Sequence, residues 1–251
     1  MSAYFATQSA EASYLFTDGA GYTTSDGVVR SLDRKVSVAQ TAPFAITTQG
    51  NADLGDRIRD VLTAQVDRLG VDDFVDLFLP VFLVCLQDTY ADVRHVPSND
   101  VLAAMTIWSE TRGILHLGFQ TGPEPDRPDM VPFALQVLGA TSLRGPVFDL
   151  MKLAAYRRPR FGEDQVSFIK ELGSYVLSLM REVASVPTSL HGVAGVTPHY
   201  WVGGFIDMTT VDASGARVER IHTWHNDRIG ERIDPFRTPL NRSQRRALKR
   251  A

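Results

Sequence analysis

Short stretches of alternating or β-favouring residues, separated by turn residues, characterise the first 50 positions. They predict strands at Ser2 to Thr7, Ser13 to Thr17 (SYLFT), Lys35 to Val38 and Phe44 to Thr48. Glycine-rich stretches such as Asp18-Gly19-Ala20-Gly21 stand between them and predict tight turns. The chain therefore begins as a run of short antiparallel strands.

A helical pattern begins directly after this run. Asn51 can cap a helix at its N-terminus, Asp53 suits its first turn, and Gly70 is a good stop. The apolar residues of this first helix recur at intervals of three or four: Leu54, Ile58, Val61, Leu62 and Leu69.

A second helix is predicted from Asp72 or Asp73 to about Ala91. It is apolar on most of its faces, which predicts deep burial. Cys85 lies within it and is expected to be a buried, inert thiol.

Strands return in the second half of the chain. The pattern predicts a pair at Val101 to Ser109 and Ile114 to Gln120, and a long helix from about Glu163 to Ser185. A last hairpin is predicted from Trp201 to Val211 and from Ala216 to Trp224. The stretch 133–160 supports no clear assignment.

This order of elements differs from the strict β-α alternation of a doubly wound sheet. It predicts an α+β fold in which two antiparallel sheets pack together with helices outside. We expect one domain over residues 1–240 and a basic C-terminal tail over 241–251.

The composition of the chain limits the cellular compartments in which we expect the protein. The chain has 251 residues, a net charge of −3 and a single cysteine, which excludes an internal disulfide framework and fits a reducing compartment. The N-terminus lacks the pattern of a signal peptide, and the longest apolar stretch, Phe74 to Gln87, is too short and too interrupted to span a membrane. We therefore expect a cytoplasmic protein, or part of a particle assembled in the cytoplasm, without a membrane partner.

Other ligand classes find little support in the sequence. His222 and His225 are three residues apart near a strand end, a spacing that does not put them on one face, so we expect no metal and no cofactor. The tail contains Arg242, Arg245, Arg246, Lys249 and Arg250. It could make a weak contact with nucleic acid, contact an acidic protein surface, form a solvated helix or serve as an assembly arm.

One ordered set of residues near the N-terminus stands out. Asp18-Gly19-Ala20 ends the second predicted strand, Lys35-Val36 opens a later one, and Gly50-Asn51-Ala52-Asp53 leads into the first helix. Over residues 2–70 this order resembles proteasome β-type subunits and the HslU-dependent peptidase of bacteria, which are N-terminal-nucleophile (Ntn) hydrolases. The resemblance implies a four-layer αββα sandwich and a homo-oligomer, with ring assembly as one form.

The resemblance also implies roles for four residues. The family's nucleophile lies sixteen residues before its Asp, and this position is Ser2 here. Removal of Met1 would leave Ser2 with a free α-amine, whose pKa near 8 suits a general base. Lys35, held by Asp18, would lower that pKa, and the Gly50 N–H would stabilise the oxyanion of a peptide or amide substrate.

The sequence departs from the family pattern at three points. Ser2 stands where these peptidases use Thr, and Lys35 is one residue farther from the nucleophile than usual. The supporting residues from the C-terminal half have no clear counterpart, and Ser142, Ser189 and Asp207 are the candidates.

Three functional hypotheses follow. The first is an Ntn hydrolase with Ser2 as nucleophile. The second is a non-catalytic structural or assembly subunit of the same fold, in one setting that of a viral or prophage particle. The third is an unrelated α+β enzyme with a site around His191, His199 and Asp207.

Overall fold

A computed structural model describes residues 3–23, 25–91, 100–123, 130–186 and 197–237. Met1, Ser2, Ser189, His191 and the basic tail lie outside these ranges. Within them the protein is a mixed α and β structure with two five-stranded antiparallel sheets and a small two-stranded sheet. This agrees with the predicted α+β class.

The first sheet has the strand order β10-β1-β2-β11-β12. Its strands are β1 (Tyr4–Gln8), β2 (Ala12–Asp18), β10 (Thr141–Arg144), β11 (Phe205–Asp212) and β12 (Gly215–Thr223). The order brings the N-terminal hairpin and the C-terminal hairpin side by side, because β2 pairs with β11 from Ala12 opposite Asp212 to Asp18 opposite Ile206.

The second sheet has the strand order β5-β6-β7-β8-β9. Its strands are β5 (Val36–Val38), β6 (Phe44–Gly50), β7 (Val101–Ser109), β8 (Gly113–Gln120) and β9 (Gln136–Val137). The small sheet pairs β3 (Ala20–Tyr22) with β4 (Val29–Leu32). Most predicted strands are confirmed, with bounds that differ by a few residues.

The first helix confirms its prediction at both ends. Helix α1 spans Ala52–Leu69, the Asn51 side chain accepts a hydrogen bond from the Leu54 N–H at 3.0 Å, and Gly70 ends the helix at a φ of 78°. Three residues at four-residue intervals, Ile58, Leu62 and Val66, are buried against the second sheet. Val61, which the pattern assigned to the same face, is 42% exposed.

The second predicted helix exists but is not deeply buried, contrary to expectation. It comprises α2 (Val71–Asp73), a π-helical segment (Phe74–Phe78) and α3 (Leu79–Ala91). One side, including Phe74 and Leu79, packs on the second sheet. The other side leaves Leu77, Val81 and Val84 more than half exposed, and Cys85 is exposed as well.

The remaining helices lie in the second half of the chain. Helix α4 spans Leu150–Ala154, and α5 spans Gln165–Arg181, a few residues shorter at each end than predicted. Asp164 caps α5 by accepting a hydrogen bond from the Ser167 N–H at 2.9 Å. The buried face of α5 packs on the first sheet.

A third apolar cluster lies between the two sheets. Tyr4, Ala6 and Leu15 of the first sheet contact Ala45 and Ala104 of the second within it. No helix in the described ranges is long and apolar enough to cross a membrane.

The last predicted hairpin is only partly correct. Its turn at Asp212 to Gly215 is confirmed. The segment Trp201 to Gly204 lies outside strand β11, which begins at Phe205. Gly204 has a φ of 77°, which breaks the extended backbone, and the segment instead turns toward Asp18.

Candidate active site

The candidate site is centred on Asp18, the last residue of β2. Its side chain is fully buried. A buried carboxylate needs hydrogen-bond donors to offset the loss of water, and three backbone N–H groups point at this one. Ala3 donates to Oδ1 at 2.9 Å, while Ala20 and Gly203 donate to Oδ2 at 3.2 Å each.

Lys35 supplies the cation of the site. Its Nζ lies 3.3 Å from Asp18 Oδ1 and also donates to the carbonyl oxygen of Ala20. The Lys35 side chain is 11% exposed. Burial lowers the pKa of Lys35 below its usual value, and the Asp18 carboxylate opposes this shift.

The backbone of Lys35 is fixed by the second sheet. Its carbonyl oxygen accepts a hydrogen bond from the Thr47 hydroxyl at 2.9 Å, and β5 begins at the next residue beside β6. The ion pair between Lys35 and Asp18 therefore joins the two sheets at one end of the molecule.

Ser2 lies outside the described residues, but its neighbour Ala3 does not. Ala3 is fully buried, donates its N–H to Asp18, and accepts a hydrogen bond from the Asp18 N–H at 3.3 Å. The chain therefore enters β1 directly at the carboxylate.

Gly50 ends β6 next to the start of β5, and its geometry requires glycine. Its φ is 102°, and a Cβ there would lie 1.9 Å from the carbonyl oxygen of Asp100. The N–H of Asn51 donates to that same oxygen at 3.0 Å, across to β7. Gly50 is the last residue of β6 and lies beyond Thr47, where the pairing of β6 with β5 ends.

Asp207 and Ser142 are the described candidates for supporting residues from the C-terminal half, and neither joins the group around Asp18. Asp207 is buried, but its carboxylate is bound by Arg220 at 3.0 Å and Arg34 at 3.3 Å. It pairs with Thr17, one residue before Asp18, so the two aspartates lie on opposite faces of the sheet. Ser142 lies in β10, opposite Ala6, and lines a separate cavity.

The contribution of the C-terminal half comes instead from a backbone group that the sequence analysis missed. Gly203 donates to Asp18, and a Cβ at Gly203 would lie 2.6 Å from Asp227 Oδ2 and 2.8 Å from Arg181 Nη1. The doublet Gly203-Gly204 was the available signal, since paired glycines indicate a close backbone approach.

A buried ion pair holds this glycine segment in place. Arg181, at the end of α5, binds both oxygens of Asp227 at 2.7 and 2.8 Å, and its Nη1 donates to the Val202 carbonyl at 2.8 Å. Asp227 in turn accepts the Gly204 N–H at 2.7 Å. The pair thus connects α5 to the donors of Asp18.

Tyr22 and His199 form a second group near Asp18. Their rings meet edge to face with centroids 5.5 Å apart. Tyr22 Oη and His199 Nε2 are buried and have no hydrogen-bond partner among the residues that the structure describes. Burial raises the pKa of Tyr22 well above its usual value, and the Asp18 carboxylate adds to the increase. His199 packs on Tyr22, whereas the Asp207 carboxylate binds Arg34 and Arg220, so no hydrogen bond or ion pair of the described residues joins these two members of the third hypothesis.

Metal binding finds no support in the described ranges, where no three His, Cys, Asp or Glu side chains are grouped to hold an ion. The group around Asp18 instead joins a buried carboxylate, the Lys35 ammonium and the backbone N–H of Ala3 at the entry to β1. A comparison with protein-family models gives no match to this sequence, and neither does a comparison with curated protein sequences.

Proposed function

We propose that the protein is an Ntn hydrolase that cleaves a peptide or amide bond with Ser2 as its nucleophile. The observation that carries the proposal is the convergence on one buried carboxylate. Asp18 binds Lys35 Nζ and the N–H of Ala3, the residue after Ser2. A nucleophile at Ser2 would therefore be the neighbour of a residue that shares the Asp18 carboxylate with the buried Lys35 ammonium group.

The proposed fold is the αββα sandwich of this superfamily. Helices α1 and α3 pack on the second sheet, α5 packs on the first, and an apolar cluster joins the sheets. This layering supports the proposal. In the proposal, this framework brings a nucleophile at Ser2, which precedes β1, close to Lys35, which precedes β5.

The proposed reaction begins once Met1 is removed. The α-amine of Ser2 takes the proton of its own hydroxyl as Oγ attacks the amide carbonyl. The oxyanion accepts a hydrogen bond from the Gly50 N–H, and the amine product leaves with the proton held by the α-amine. Water then attacks the Ser2 ester, which releases the carboxylic acid and restores Ser2.

Lys35 has an electrostatic role in this scheme. An ammonium beside the α-amine disfavours a second positive charge and so keeps more of the α-amine in its basic form. Asp18 keeps Lys35 in position, and its three backbone donors fix Asp18. Lys35 is accordingly the residue whose removal should slow acylation without removing the nucleophile.

An acylating probe such as a peptide β-lactone tests this function. We expect the mature chain to lack Met1 and to gain one probe mass at Ser2. Ser2→Ala should abolish labelling. Because alanine at position 2 also permits removal of Met1, this loss would not result from a retained Met1. Ser2→Thr should retain labelling, and Ser9→Ala, in the turn between β1 and β2, should leave it unchanged. Unaltered labelling of Ser2→Ala would contradict the proposal.

A non-catalytic structural or assembly subunit is the second candidate. Two observations favour it. Asp207 is bound by two arginines away from Asp18, and the outer face of the π-helical segment and α3 exposes Leu77, Val81 and Val84. An apolar helix face of this kind suits contact with other subunits. Stable assembly in light scattering, combined with no acylation of Ser2, would select this candidate over the first.

A further inference from the structure

An exposed apolar stripe follows the outer side of the second helix. Three of its side chains are more than half exposed: Leu77, Val81 and Val84. Their intervals of four and three residues put them on one face of the helix. Asp73 and Asp88 continue this spacing at the two ends of the stripe and are exposed as well. The stripe and its two aspartates, named the α3 surface, combine an apolar centre with acidic ends.

A second exposed apolar surface lies on and around helix α4. Phe148 and Leu153 pack into the apolar cluster of the first sheet and fix this segment there. Four large apolar side chains of the same region are at least 65% exposed: Val147, Leu150, Met151 and Phe161. Three exposed cations belong to the same stretch of the chain: Lys152, Arg158 and Arg160. These seven residues, named the α4 surface, are apolar and basic.

The two surfaces have opposite charge. Residues 71–91 contain four aspartates and no Lys, Arg or His. Residues 147–162 contain four cations and one acid, Asp149, whose carboxylate caps α4 by accepting the Met151 N–H at 2.9 Å. Arg157 is bound by two glutamates, whereas Lys152, Arg158 and Arg160 make no ion pair with a described residue. The α4 surface therefore presents positive charge to solvent.

This difference in charge favours contact between unlike surfaces. Two α3 surfaces placed face to face would bring aspartate close to aspartate, and two α4 surfaces would bring cation close to cation, which disfavours association. An α3 surface placed on an α4 surface matches the apolar parts and the charges together. One molecule cannot make this contact with itself, because α3 packs on the second sheet and α4 on the first, with an apolar cluster between the sheets.

We propose that the α3 surface of one copy of the chain binds the α4 surface of the next copy. The contact is heterologous, so each pair retains one free surface of each kind, and further copies add until a ring closes or a filament grows. Burial of the apolar side chains would drive association, and the charges would set its orientation. The inference concerns assembly and holds whether or not Ser2 reacts.

Sedimentation velocity of the full chain tests the inference with two double variants. Leu77→Gln with Val81→Gln alters the α3 surface, and Leu150→Gln with Met151→Gln alters the α4 surface. At about 100 μM, where contacts of micromolar Kd are saturated, we expect the unaltered chain to sediment as assemblies larger than a dimer. Each variant alone should be a monomer, because one half of every contact is missing.

An equimolar mixture of the two variants should form a dimer of one copy of each. One unaltered α3 surface and one unaltered α4 surface remain in the mixture, which permits a single contact. Formation of this dimer also shows that both variants are folded. Ile229→Gln alters an apolar side chain of similar exposure outside both surfaces, and it should assemble like the unaltered chain.

Cys85 provides a second readout that does not depend on mass. It is the single cysteine of the chain, is exposed, and follows Val84 of the α3 surface. Because thiol reactions depend on access, alkylation by iodoacetamide should be at least about tenfold slower in the assembled chain than in the α4-surface variant. A contact between two α3 surfaces would instead protect Cys85 in that variant as well.

Four results would overturn the inference: an unaltered chain that is monomeric at this concentration, assembly of the α4-surface variant alone, assembly of the α3-surface variant alone, or a mixture that remains monomeric. A monomeric chain that binds phosphatidylglycerol vesicles would assign the α4 surface to a lipid surface instead. Labelling of Ser2 by the β-lactone, measured in the same samples, reports on hydrolysis separately from assembly.

Discussion

Lys35 Nζ lies 3.3 Å from Asp18 Oδ1, and this contact joins the end of β2 in one sheet to the start of β5 in the other. Both side chains are largely removed from solvent. Ala3, Ala20 and Gly203 complete the surroundings of the carboxylate through their backbone N–H groups. Segments that are far apart in the chain, from Ala3 to Gly203, therefore all bind the side chain of Asp18.

Replacement of Asp18 should be costly for this reason. Asp18→Asn places an amide NH₂ against backbone donors and leaves Lys35 buried without its counter-charge. We expect the free energy of unfolding to fall by about 3 kcal/mol, the range for removal of one partner of a buried pair. Urea denaturation measures this loss. The control, Asp26→Asn, alters a surface carboxylate that pairs with Arg30 and should change stability by less than about 1 kcal/mol.

A double-mutant cycle separates the ion pair from the rest of the Asp18 surroundings. Lys35→Met in the Asp18→Asn background should cost less than it does alone, because the unpaired charge is gone. If the two losses simply add, the pair does not couple and the account of this contact fails.

Gly50 should not tolerate a side chain. Gly50→Ala adds a Cβ that would lie 1.9 Å from the Asp100 carbonyl oxygen, at a φ of 102°. We expect a loss of at least about 2 kcal/mol in the free energy of unfolding, from strain and backbone displacement together. Gly113→Ala is the matched control: its φ of 72° is also positive, but nothing lies within 4 Å of its Cβ. A loss for Gly50→Ala no greater than that of the control would contradict the packing described.

The buried imidazole of His116 should make stability depend on pH. Its Nδ1 lies 2.9 Å from the Gly139 carbonyl and its Nε2 lies 2.5 Å from the Ser13 hydroxyl, across the interface between the sheets. The carbonyl accepts from Nδ1–H, so Nε2 accepts from Ser13. Protonation of Nε2 would break that bond, and burial lowers the pKa of His116.

The sign of this effect follows from proton binding. With a folded-state pKa below the usual 6.5, the unfolded state binds more protons in the window between the two values. The contribution of His116 to the free energy of unfolding is therefore fully present above about pH 6.5, and it declines as the pH falls below that value. Denaturant unfolding between pH 5 and 8 should show this slope, and His116→Gln should reduce it. An identical slope in His116→Gln would contradict the assignment.

The buried ion pair of Arg181 and Asp227 should contribute strongly to the free energy of unfolding, although both residues are far from Ser2 in the chain. Arg181→Met leaves the Asp227 carboxylate, 1% exposed, with an uncompensated charge. A loss of about 3 to 5 kcal/mol is expected on urea denaturation. Lys170→Met, which removes the exposed pair with Glu219, should cost less than about 1 kcal/mol. Comparable losses for the two variants would show that the buried pair has no special role.

The sequence predicts elements well where local chemistry determines them. Asn51 and Gly70 have side-chain and backbone properties that define the ends of a helix, and α1 begins and ends there. The predictions fail where tertiary contacts, and not local chemistry, determine the position of a side chain. Cys85 is exposed because α3 packs on the second sheet by one side alone. Asp207 binds Arg220, its partner across the β11–β12 hairpin, and also Arg34, which is far away in the chain and which no local pattern connects to it.

The candidate site shows the same division. Asp18, Lys35 and Gly50 were identified through their order along the chain, and the structure brings Asp18 and Lys35 into contact. Gly203 was not predicted as a site residue, because a glycine doublet indicates a close backbone approach but does not identify the group that is approached. The acceptor of its N–H becomes clear only after the fold has brought distant segments together.

The identity of the mature N-terminus, combined with its reactivity, tests the central claim most directly. Intact-mass and peptide mass spectrometry of the protein from its native source, after treatment with a peptide β-lactone, measures both at once. The account predicts a chain that begins at Ser2 and carries one acyl group on that residue. A chain that retains Met1, or one that begins at Ser2 but is acylated only elsewhere, would contradict it.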